Sequence, residues 1–210
     1  AVPRLKISCI VSSPSDDVIL TRDNSGRVNF RNVSSLQPSF GGIVVGATDS
    51  MTGYMNQIYN STQGSVVGGS YNCVCNSNEA SIIGGDHNVL LYSVRSNIIG
   101  GCFNNILSFS CDSTITGGHH NTLANNSYHS FIGGGFYNCI FSNTESSSII
   151  SGFCNKIFNN SSHSSIIGGY CNCIYSGAGS SSILSSSKSC LYNAYYSSIS
   201  GGYRNSIGFN

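Results

Sequence analysis

The stretch SSIIGGYCNCIYS at 164–176 has the composition of a phosphate-binding glycine loop that follows a short apolar strand, with Gly168, Gly169 and Asn172 as its candidate residues. Similar stretches recur along the chain, as SVVGGSYNCV at 65–74, SIIGGDHNVL at 81–90, NIIGGCFNNI at 97–106, TITGGHHNTL at 114–123, SIISGFCNKI at 148–157 and SISGGYRNSI at 198–207. A pattern that returns at a fixed period indicates a repeat array. We therefore expect repeated structure here rather than one site.

The acidic and histidine side chains do not gather as catalysis would require. Solenoid enzymes that act on polysaccharides place acids and bases at matching positions of neighbouring coils. Here these residues are scattered through the repeat register: Glu79, Asp86, His87, Asp112, His129, Glu145 and His163. Of the carboxylates, only Glu79 and Glu145 share a position, and they are about 19 Å apart at strand spacing, too far for a carboxylate pair. Gly-x-Ser-x-Gly and His-Glu-x-x-His motifs are absent. The sequence predicts no enzyme, no cofactor and no metal site.

Charge and hydropathy exclude two classes of partner. The chain has 9 Lys and Arg residues, 8 Asp and Glu residues and a net charge of +1, so no basic surface is expected to hold a nucleic acid. No apolar run approaches the roughly 18 residues of a membrane span. We expect neither nucleic-acid binding nor membrane insertion.

The repeats are anchored on an asparagine that returns every 16 or 17 residues. The anchors are Asn56, Asn72, Asn88, Asn104, Asn121, Asn138, Asn155, Asn172, Ser189 and Asn205. All three prolines and eight of the seventeen charged residues precede the array. The sequence therefore predicts an N-terminal docking or cap segment at 1–40 and a repeat domain at 41–210.

Aliphatic residues occupy two fixed positions of each repeat, six residues before the anchor and two residues after it. The clearest members are Ile82, Ile98, Ile115, Ile149, Ile166, Ile183 and Ile199 before the anchor, and Leu90, Ile106, Ile140, Ile157 and Ile174 after it. One inward aliphatic per half-turn describes a flattened coil of two strands. The predicted fold is all-β, a parallel β-solenoid of about ten coils with a short N-terminal extension.

The remaining repeat positions follow from this coil. The Gly-Gly pair is expected at the corner after the first strand. The anchor asparagines are expected to face inward and to bond amide to amide along the axis as a ladder. Five residues before the anchor lies an outward, mostly aliphatic column, which favours a subunit interface: Met51, Val67, Ile83, Ile99, Thr116, Gly133, Ile150, Ile167, Leu184 and Ser200.

The repeats SIIGGDHN and SSIIGGYCN resemble the Ser-(Ile/Val)-(Ile/Leu)-Gly-Gly-x-x-Asn head repeats of tail-fibre-like proteins of phages and large viruses, which are akin to the heads of trimeric bacterial adhesins. The segment DDVILTRDNSGRVNFRNVSSL at 16–36 is similar to the segment that precedes such repeats. The resemblance implies a left-handed, commonly trimeric β-roll on an extracellular or virion-surface fibre that binds hosts or other surfaces. The 16- or 17-residue period and the ten cysteines depart from the adhesin pattern.

Cysteines at matching positions of successive coils predict two disulfides, Cys154–Cys171 and Cys173–Cys190. Equivalent residues of neighbouring coils lie about 4.8 Å apart, within the range that a disulfide accepts. Cys9, Cys73, Cys75, Cys102, Cys111 and Cys139 lack such a partner and are candidates for pairing between subunits. The alternative is that all ten cysteines are small buried residues that stay reduced.

Two further patterns point to sugars. Candidate N-glycosylation acceptors are Asn32, Asn60, Asn125, Asn159 and Asn160, four of them just past an anchor. Aromatic or histidine residues precede nine of the ten anchors: Tyr54, Tyr71, His87, Phe103, His119, His120, Phe136, Tyr137, Phe153, Tyr170 and Tyr203. They form either a stacking surface for sugars or, more in keeping with a coil corner, structural aromatic packing.

These patterns favour a structural or adhesive fibre protein that assembles with copies of itself, outside the cell or on a virion surface. The alternative is a filament subunit that stacks head to tail through its N-terminal segment, for which the uncapped strand edge in NSIGFN at 205–210 is the favouring feature. A glycan-binding solenoid is a more distant alternative, with cell-surface glycans as its partner.

Overall fold

The structure, a computed structural model, describes residues 18–22, 28–32, 42–44 and 50–208. The chain divides into two compact units, Ala1–Ser39 and Phe40–Asn210. In the first unit, β1 (Val18–Arg22) and β2 (Val28–Asn32) pair as an antiparallel hairpin. Cys9 of the predicted cysteine set lies outside the described residues.

The second unit is a parallel β-solenoid, and its described residues contain no helix, which confirms the predicted fold class. Sheet 1 contains the strand before each glycine corner: β4 (Ser50–Met51), β6 (Ser65–Val67), β8 (Ser81–Ile83), β10 (Asn97–Ile99), β12 (Thr114–Ile115), β14 (Phe131–Ile132), β16 (Ser148–Ile149), β18 (Ser165–Ile166), β21 (Ser182–Ile183) and β24 (Ser198–Ile199). These ten strands pair in order, so each coil stacks on its sequence neighbours.

Sheet 2 contains β3 (Gly42–Val44), which precedes the first anchor, and the strand at or after each anchor: β5 (Asn56–Tyr59), β7 (Cys73–Cys75), β9 (Val89–Leu91), β11 (Asn105–Leu107), β13 (Thr122–Ala124), β15 (Cys139–Phe141), β17 (Lys156–Phe158), β20 (Cys173–Tyr175), β23 (Cys190–Tyr192) and β26 (Ser206–Gly208). A short third sheet forms at the glycine corner from β19 (Gly169–Tyr170), β22 (Ser186–Ser187) and β25 (Gly202–Tyr203). Single parallel bridges from Tyr54 to Tyr170 extend it along the array.

The core consists of the two aliphatic columns, one from sheet 1 and one from sheet 2. In β8 the middle residue Ile82 is fully buried while Ile83 is exposed, and in β9 Leu90 is fully buried between two half-buried neighbours. Strand alternation places one aliphatic side chain of each strand inside. Register stacks like on like: Ile98 faces Ile115 in one sheet and Ile106 faces Leu123 in the other.

The corners of each coil contain non-glycine residues in the left-handed backbone region, which the sequence did not reveal. His87, Asn76 and Glu79 represent the three corner types, with φ of 55°, 50° and 53°. Such a conformation costs about 1–2 kcal/mol for most residues. It turns each N–H along the axis, so each of the three donates to a carbonyl of the preceding coil at 2.9–3.0 Å. Axial hydrogen bonding therefore continues through the corners.

The difference between 16- and 17-residue repeats lies at the corner after sheet 2. Where the next anchor is 16 residues away, this corner has one left-handed residue: Asn60, Asn76, Tyr92 and Asn193. Where it is 17 residues away, two consecutive residues have positive φ: Ser108–Phe109, Asn125–Asn126, Ser142–Asn143, Asn159–Asn160 and Ser176–Gly177. The extra residue is absorbed in the turn, so the strands and the core columns keep their register.

Gly168 and Gly169 belong to the same corner, but we expect substitutions at these two positions to change the free energy of unfolding by different amounts. Gly169 has φ +93°, and an added Cβ would overlap the carbonyl of Ser186 and lie 2.7 Å from Nδ2 of Asn172. Gly168 is outside the left-handed region, and its nearest contact would be Oγ of Ser151 at 3.6 Å. We expect Gly169→Ala to lower the free energy of unfolding by about 3 kcal/mol and Gly168→Ala to change it by less than about 0.5 kcal/mol. Urea unfolding followed by circular dichroism measures both, and equal effects would contradict this account of the corner.

Candidate functional site

The anchor asparagines form a buried column, but they bond differently from the amide-to-amide ladder that we expected. Nδ2 of Asn138 donates to the carbonyls of Gly134 and Gly152, both at 2.9 Å, and its Oδ1 accepts the N–H of Asn155 at 3.0 Å. Each side chain thus joins successive coils through backbone groups. A direct amide-to-amide bond occurs between Asn172 and Asn155, at 3.1 Å.

The asparagine column is inaccessible to ligands along most of its length. Eight anchors are fully buried, namely Asn56, Asn72, Asn88, Asn104, Asn121, Asn138, Asn155 and Asn172. Asn205, in the last described coil, is exposed. The phosphate-loop interpretation fails for the same reason, because the groups around Asn172 that would hold an anion are occupied by neighbouring coils.

Two serine columns at the other corners were not predicted from the sequence. The first contains Ser61, Ser77, Ser93, Ser110, Ser127, Thr144 and Ser161, and the second contains Ser96, Ser113, Ser130, Ser147, Ser164 and Ser181; all of these are buried. Oγ of Ser113 accepts the N–H of Ser130 at 3.0 Å and donates to the carbonyl of Ser127 at 3.0 Å. Their fixed register was the available signal, but serine is so abundant at outer positions that the columns did not stand out.

Four of the five sequons lie at the corner after sheet 2. Asn60, Asn125, Asn159 and Asn160 are exposed and have positive φ, and Asn32 ends β2. Asparagine tolerates the left-handed conformation better than most residues, which gives its recurrence at this corner a structural cause. Glycosylation of these residues stays a prediction.

The aromatic residues before the anchors form two adjacent columns at the glycine corner. In one, Tyr71, His87, Phe103, His120 and Tyr137 stack in succession with ring centroids 4.7–5.0 Å apart and planes within 20°. In the other, His119, Phe136, Phe153 and Tyr170 stack at 4.9–5.4 Å. Two cations lie near rings at the same corner: Lys188 is near the rings of Tyr170 and Tyr203, and Arg204 is near the ring of Tyr203.

This stacking bears on the sugar-binding interpretation. A sugar ring stacks on an aromatic face, but here each ring inside a column presents both faces to its neighbours along the axis. The geometry favours structural packing, in which successive rings stabilise successive coils.

Of the seven acidic and histidine candidates, Asp86 and His87 lie at the glycine corner and the other five lie at other corners of the coils. Asp86 accepts a hydrogen bond from Ser70 at 2.6 Å and lies 2.8 Å from Nδ1 of His87. These two hydrogen bonds, the one from Ser70 foremost, hold the pKa of Asp86 below its ordinary value. The trio is unlike a hydrolytic triad, because the serine donates to the carboxylate and not to the imidazole. Arg95 and Asp112 form an exposed two-point ion pair at 2.7 and 2.8 Å.

Two of the other candidate groups neighbour this ion pair along the axis, since Glu79 lies near Arg95 and His129 lies near Asp112. Glu79, His129, Glu145 and His163 are exposed at coil corners. Among residues 51–208, no three His, Cys, Asp or Glu side chains come together in a way that would hold a metal ion.

The column five residues before the anchor, which we name the outer stripe, lies on the solvent side of sheet 1. Val67, Ile83, Ile99, Ile150 and Ile167 are each 44–49% exposed. Gly133 interrupts the column, but the ring of Phe131 lies over the space that a side chain at 133 would occupy, 3.3 Å from its ideal Cβ position. The stripe is therefore apolar at 133, while Thr116 places one polar side chain between Ile99 and this gap, with its hydroxyl donating to the carbonyl of Gly133.

The outer side of sheet 2 carries a second apolar column, three residues after the anchor, which we name the sheet-2 stripe. Its described members include Leu91, Leu107, Phe141, Phe158, Tyr175 and Tyr192. The rings of Phe141, Phe158 and Tyr175 stack at 5.1 and 5.3 Å, and Tyr192 follows at 4.9 Å. The sequence pattern indicated one outer column, on sheet 1, and did not predict this one.

The pairing of cysteines in the structure differs in part from the pairing expected from the sequence. Cys73 and Cys75, which the sequence left as candidates for pairing between subunits, are joined to each other within β7. Cys154 is hydrogen-bonded to Cys171, and Cys173 to Cys190, but all four are free thiols. The two predicted disulfides therefore join residues that lie side by side, and their formation stays a prediction. Cys102, Cys111 and Cys139 are also free.

Comparison with known proteins gives no family for this chain. No protein-family model matches it, and no curated protein shows significant sequence similarity to it. The described residues include no helix long and apolar enough to cross a bilayer.

The aromatic columns predict a stability effect that depends on stacking. Phe153 stacks on Phe136 at 5.4 Å and on Tyr170 at 5.3 Å, whereas Tyr196 is 85% exposed. We expect Phe153→Leu to lower the free energy of unfolding by about 2 kcal/mol and Tyr196→Leu to leave it within about 0.5 kcal/mol. Chemical unfolding measures the pair. A Phe153→Leu protein as stable as the parent would show that the columns are not structural.

Proposed function

We propose that this chain is a non-enzymatic structural subunit of an adhesive fibre, and that it assembles laterally with copies of itself outside the cell or on a virion surface. The outer stripe carries the proposal. Five aliphatic side chains at the same position of five coils, each nearly half exposed, form an apolar surface of the kind that soluble proteins cover by association. The likeness of the repeats to fibre-head repeats supports the same function.

The occupant that fits the outer stripe best is a second copy of the chain. Both stripes belong to the same coils, so side chains on the outer stripe and on the sheet-2 stripe recur with the same axial spacing. A stripe of one subunit can therefore interdigitate with the other stripe of its neighbour along the array. A contact between two different surfaces is heterologous. Repeating it produces a closed ring when the rotation from one subunit to the next adds up to a full turn. A homotrimer is the ring that the family resemblance implies.

Charge also favours lateral association. The described members of the outer stripe are all uncharged, and so are the members named above for the sheet-2 stripe. Burying them against each other removes apolar surface from water, worth about 25 cal/mol per Å², and leaves no unpaired charge.

The outer stripe predicts a specific loss of assembly. The double variant Ile83→Asp/Ile99→Asp places two charges where a partner would cover them, so we expect a homo-oligomer, a trimer, for the parent chain and a monomer for the variant. Size-exclusion chromatography with light scattering gives the masses, and circular dichroism checks that the variant is folded.

The matched control is Asn125→Asp/Asn159→Asp, which adds the same charge at exposed corners that tolerate aspartate and should keep the parent's mass. A monomeric parent chain, or an unchanged mass in the stripe variant, would contradict lateral assembly. Electron microscopy tests the head-to-tail alternative, because indefinite filaments that persist in the stripe variant would favour end-to-end stacking.

A further inference from the structure

The cysteine pair at the coil of Ser189 differs from every other thiol that the structure describes. Cys173 of β20 and Cys190 of β23 are direct register partners in a parallel pair. Residues so placed lie at strand spacing, about 4.8 Å between Cα atoms, on the same face of the sheet. That separation suits a disulfide. Both side chains are half-buried, and their sulfurs are hydrogen-bonded to each other.

The coil that contains Ser189 also lacks an axial hydrogen bond that the buried asparagine anchors make. Its anchor is serine, so one rung of the asparagine column is missing, and Leu184, Ser185 and Ser186 replace the usual apolar-Gly-Gly corner. Ser189 still accepts the N–H of Asn205 at 3.1 Å, but its hydroxyl donates within its own coil, to Ser187 at 3.4 Å. The cross-coil amide donation that Asn172 makes to Ser186 is one that a serine at 189 cannot reproduce, because serine has no amide N–H. A covalent link at 173–190 would lie directly beside this gap.

The surroundings give the thiols of Cys173 and Cys190 different pKa values. Hydrogen bonds from Cys173 and from the hydroxyl of Tyr175 lower the pKa of the Cys190 thiol to about 7 against the opposing effect of burial. About half of Cys190 is therefore thiolate at neutral pH. The hydrogen bond to Cys190, followed by burial, raises the pKa of Cys173.

Two other thiols of this region, Cys139 and Cys154, are poorer nucleophiles. Burial raises the pKa of Cys139 to about 12. Burial and the hydrogen bond with Cys171 raise the pKa of Cys154. Lys156 neighbours Cys173 in register on the side away from Cys190.

We propose that Cys190 and Cys173 are an attacking and a resolving thiol that form a covalent staple between coils by exchange with a small-molecule disulfide. The Cys190 thiolate attacks one sulfur of the reagent R–S–S–R; the reagent's S–S bond breaks, one R–S⁻ leaves and is protonated, and Cys190–S–S–R forms. Cys173 then loses its proton to solvent and attacks the Cys190 sulfur, and the second R–S⁻ leaves and is protonated. The products are the Cys173–Cys190 disulfide and two R–SH, so the reagent is the two-electron oxidant.

The staple does not depend on fibre assembly. In addition to the predicted Cys173–Cys190 disulfide, we specify which thiol attacks, which class of reagent oxidises the pair, and at which coil of the array the link stabilises the structure. Once formed, the staple should hold residues 190–208, the C-terminal end of the described array, against local unfolding.

The test uses the reduced full chain and oxidised glutathione at pH 7, with peptide mapping by mass spectrometry. We expect the parent to form the Cys173–Cys190 link, Cys173→Ser to accumulate glutathione on Cys190, and Cys190→Ser to react at Cys173 much more slowly. At pH 7 the thiolate fraction of Cys190 should be about 50-fold larger than that of a thiol of pKa 9, whereas its thiolate should be about 8-fold less nucleophilic. Cys190 should therefore react roughly fivefold faster than such a thiol. The rate at Cys190 should rise with pH and reach half its maximum near pH 7.

The matched control is Cys154→Ser/Cys171→Ser, which removes the other adjacent pair and should leave the reaction at 173 and 190 unchanged. Glutathione that accumulates on Cys173 of Cys190→Ser as fast as on Cys190 of Cys173→Ser would overturn the assignment of roles. Hydrogen exchange provides a second readout, with slower exchange over 190–208 after oxidation of the parent but not of either single variant. Unchanged exchange in the oxidised parent would overturn the stapling role.

Discussion

The asparagine side chain that links successive coils is the interaction on which the rest of the structure depends. Its amide nitrogen donates to a carbonyl of its own coil and to one of the next coil, and its carbonyl oxygen accepts the next anchor's N–H. Backbone groups at a buried corner would otherwise lack partners, which costs about 1–3 kcal/mol for each group. No other side chain has this donor and acceptor geometry at this length.

The asparagine fixes what the neighbouring positions must be. Its amide approaches the second glycine so closely that a Cβ at Gly135 would lie 2.6 Å from Nδ2 of Asn138, and this excludes larger residues there. The corner then leads into a strand whose second residue must point inward, as Ile140 does. Glycine, asparagine and aliphatic residue therefore recur together because one hydrogen-bonded corner requires all three.

Much of this architecture could be predicted because it is periodic at the level of single residues. Ile82 and Leu90 stand out as buried because aliphatic residues that return at a fixed period mark the inward face of a repeated strand. The serine columns were missed because their inward orientation depends on left-handed corners, and positive φ at residues such as Asn76 and Glu79 leaves no trace in composition. The sheet-2 stripe was missed because its members vary from leucine to tyrosine, so it is conspicuous only once the rings are stacked.

The candidate surfaces differ in how much of each side chain already packs against other residues of the same chain. The aromatic columns stack on themselves, whereas the outer stripe keeps nearly half of each side chain in water. The proposed interaction with copies of the chain rests on the second property. The proposed structural function rests on coils that repeat one hydrogen-bonding scheme.

The most direct test of this account compares the unfolding of Asn138→Ala with that of Asn205→Ala. Asn138 is fully buried and bonded on both sides, whereas Asn205 is exposed and has a coil on one side only among the described residues. The account predicts a loss of about 4 kcal/mol in the free energy of unfolding for Asn138→Ala and less than about 1 kcal/mol for Asn205→Ala. Equal, small losses for both variants would show that the asparagine column is not what holds the coils together.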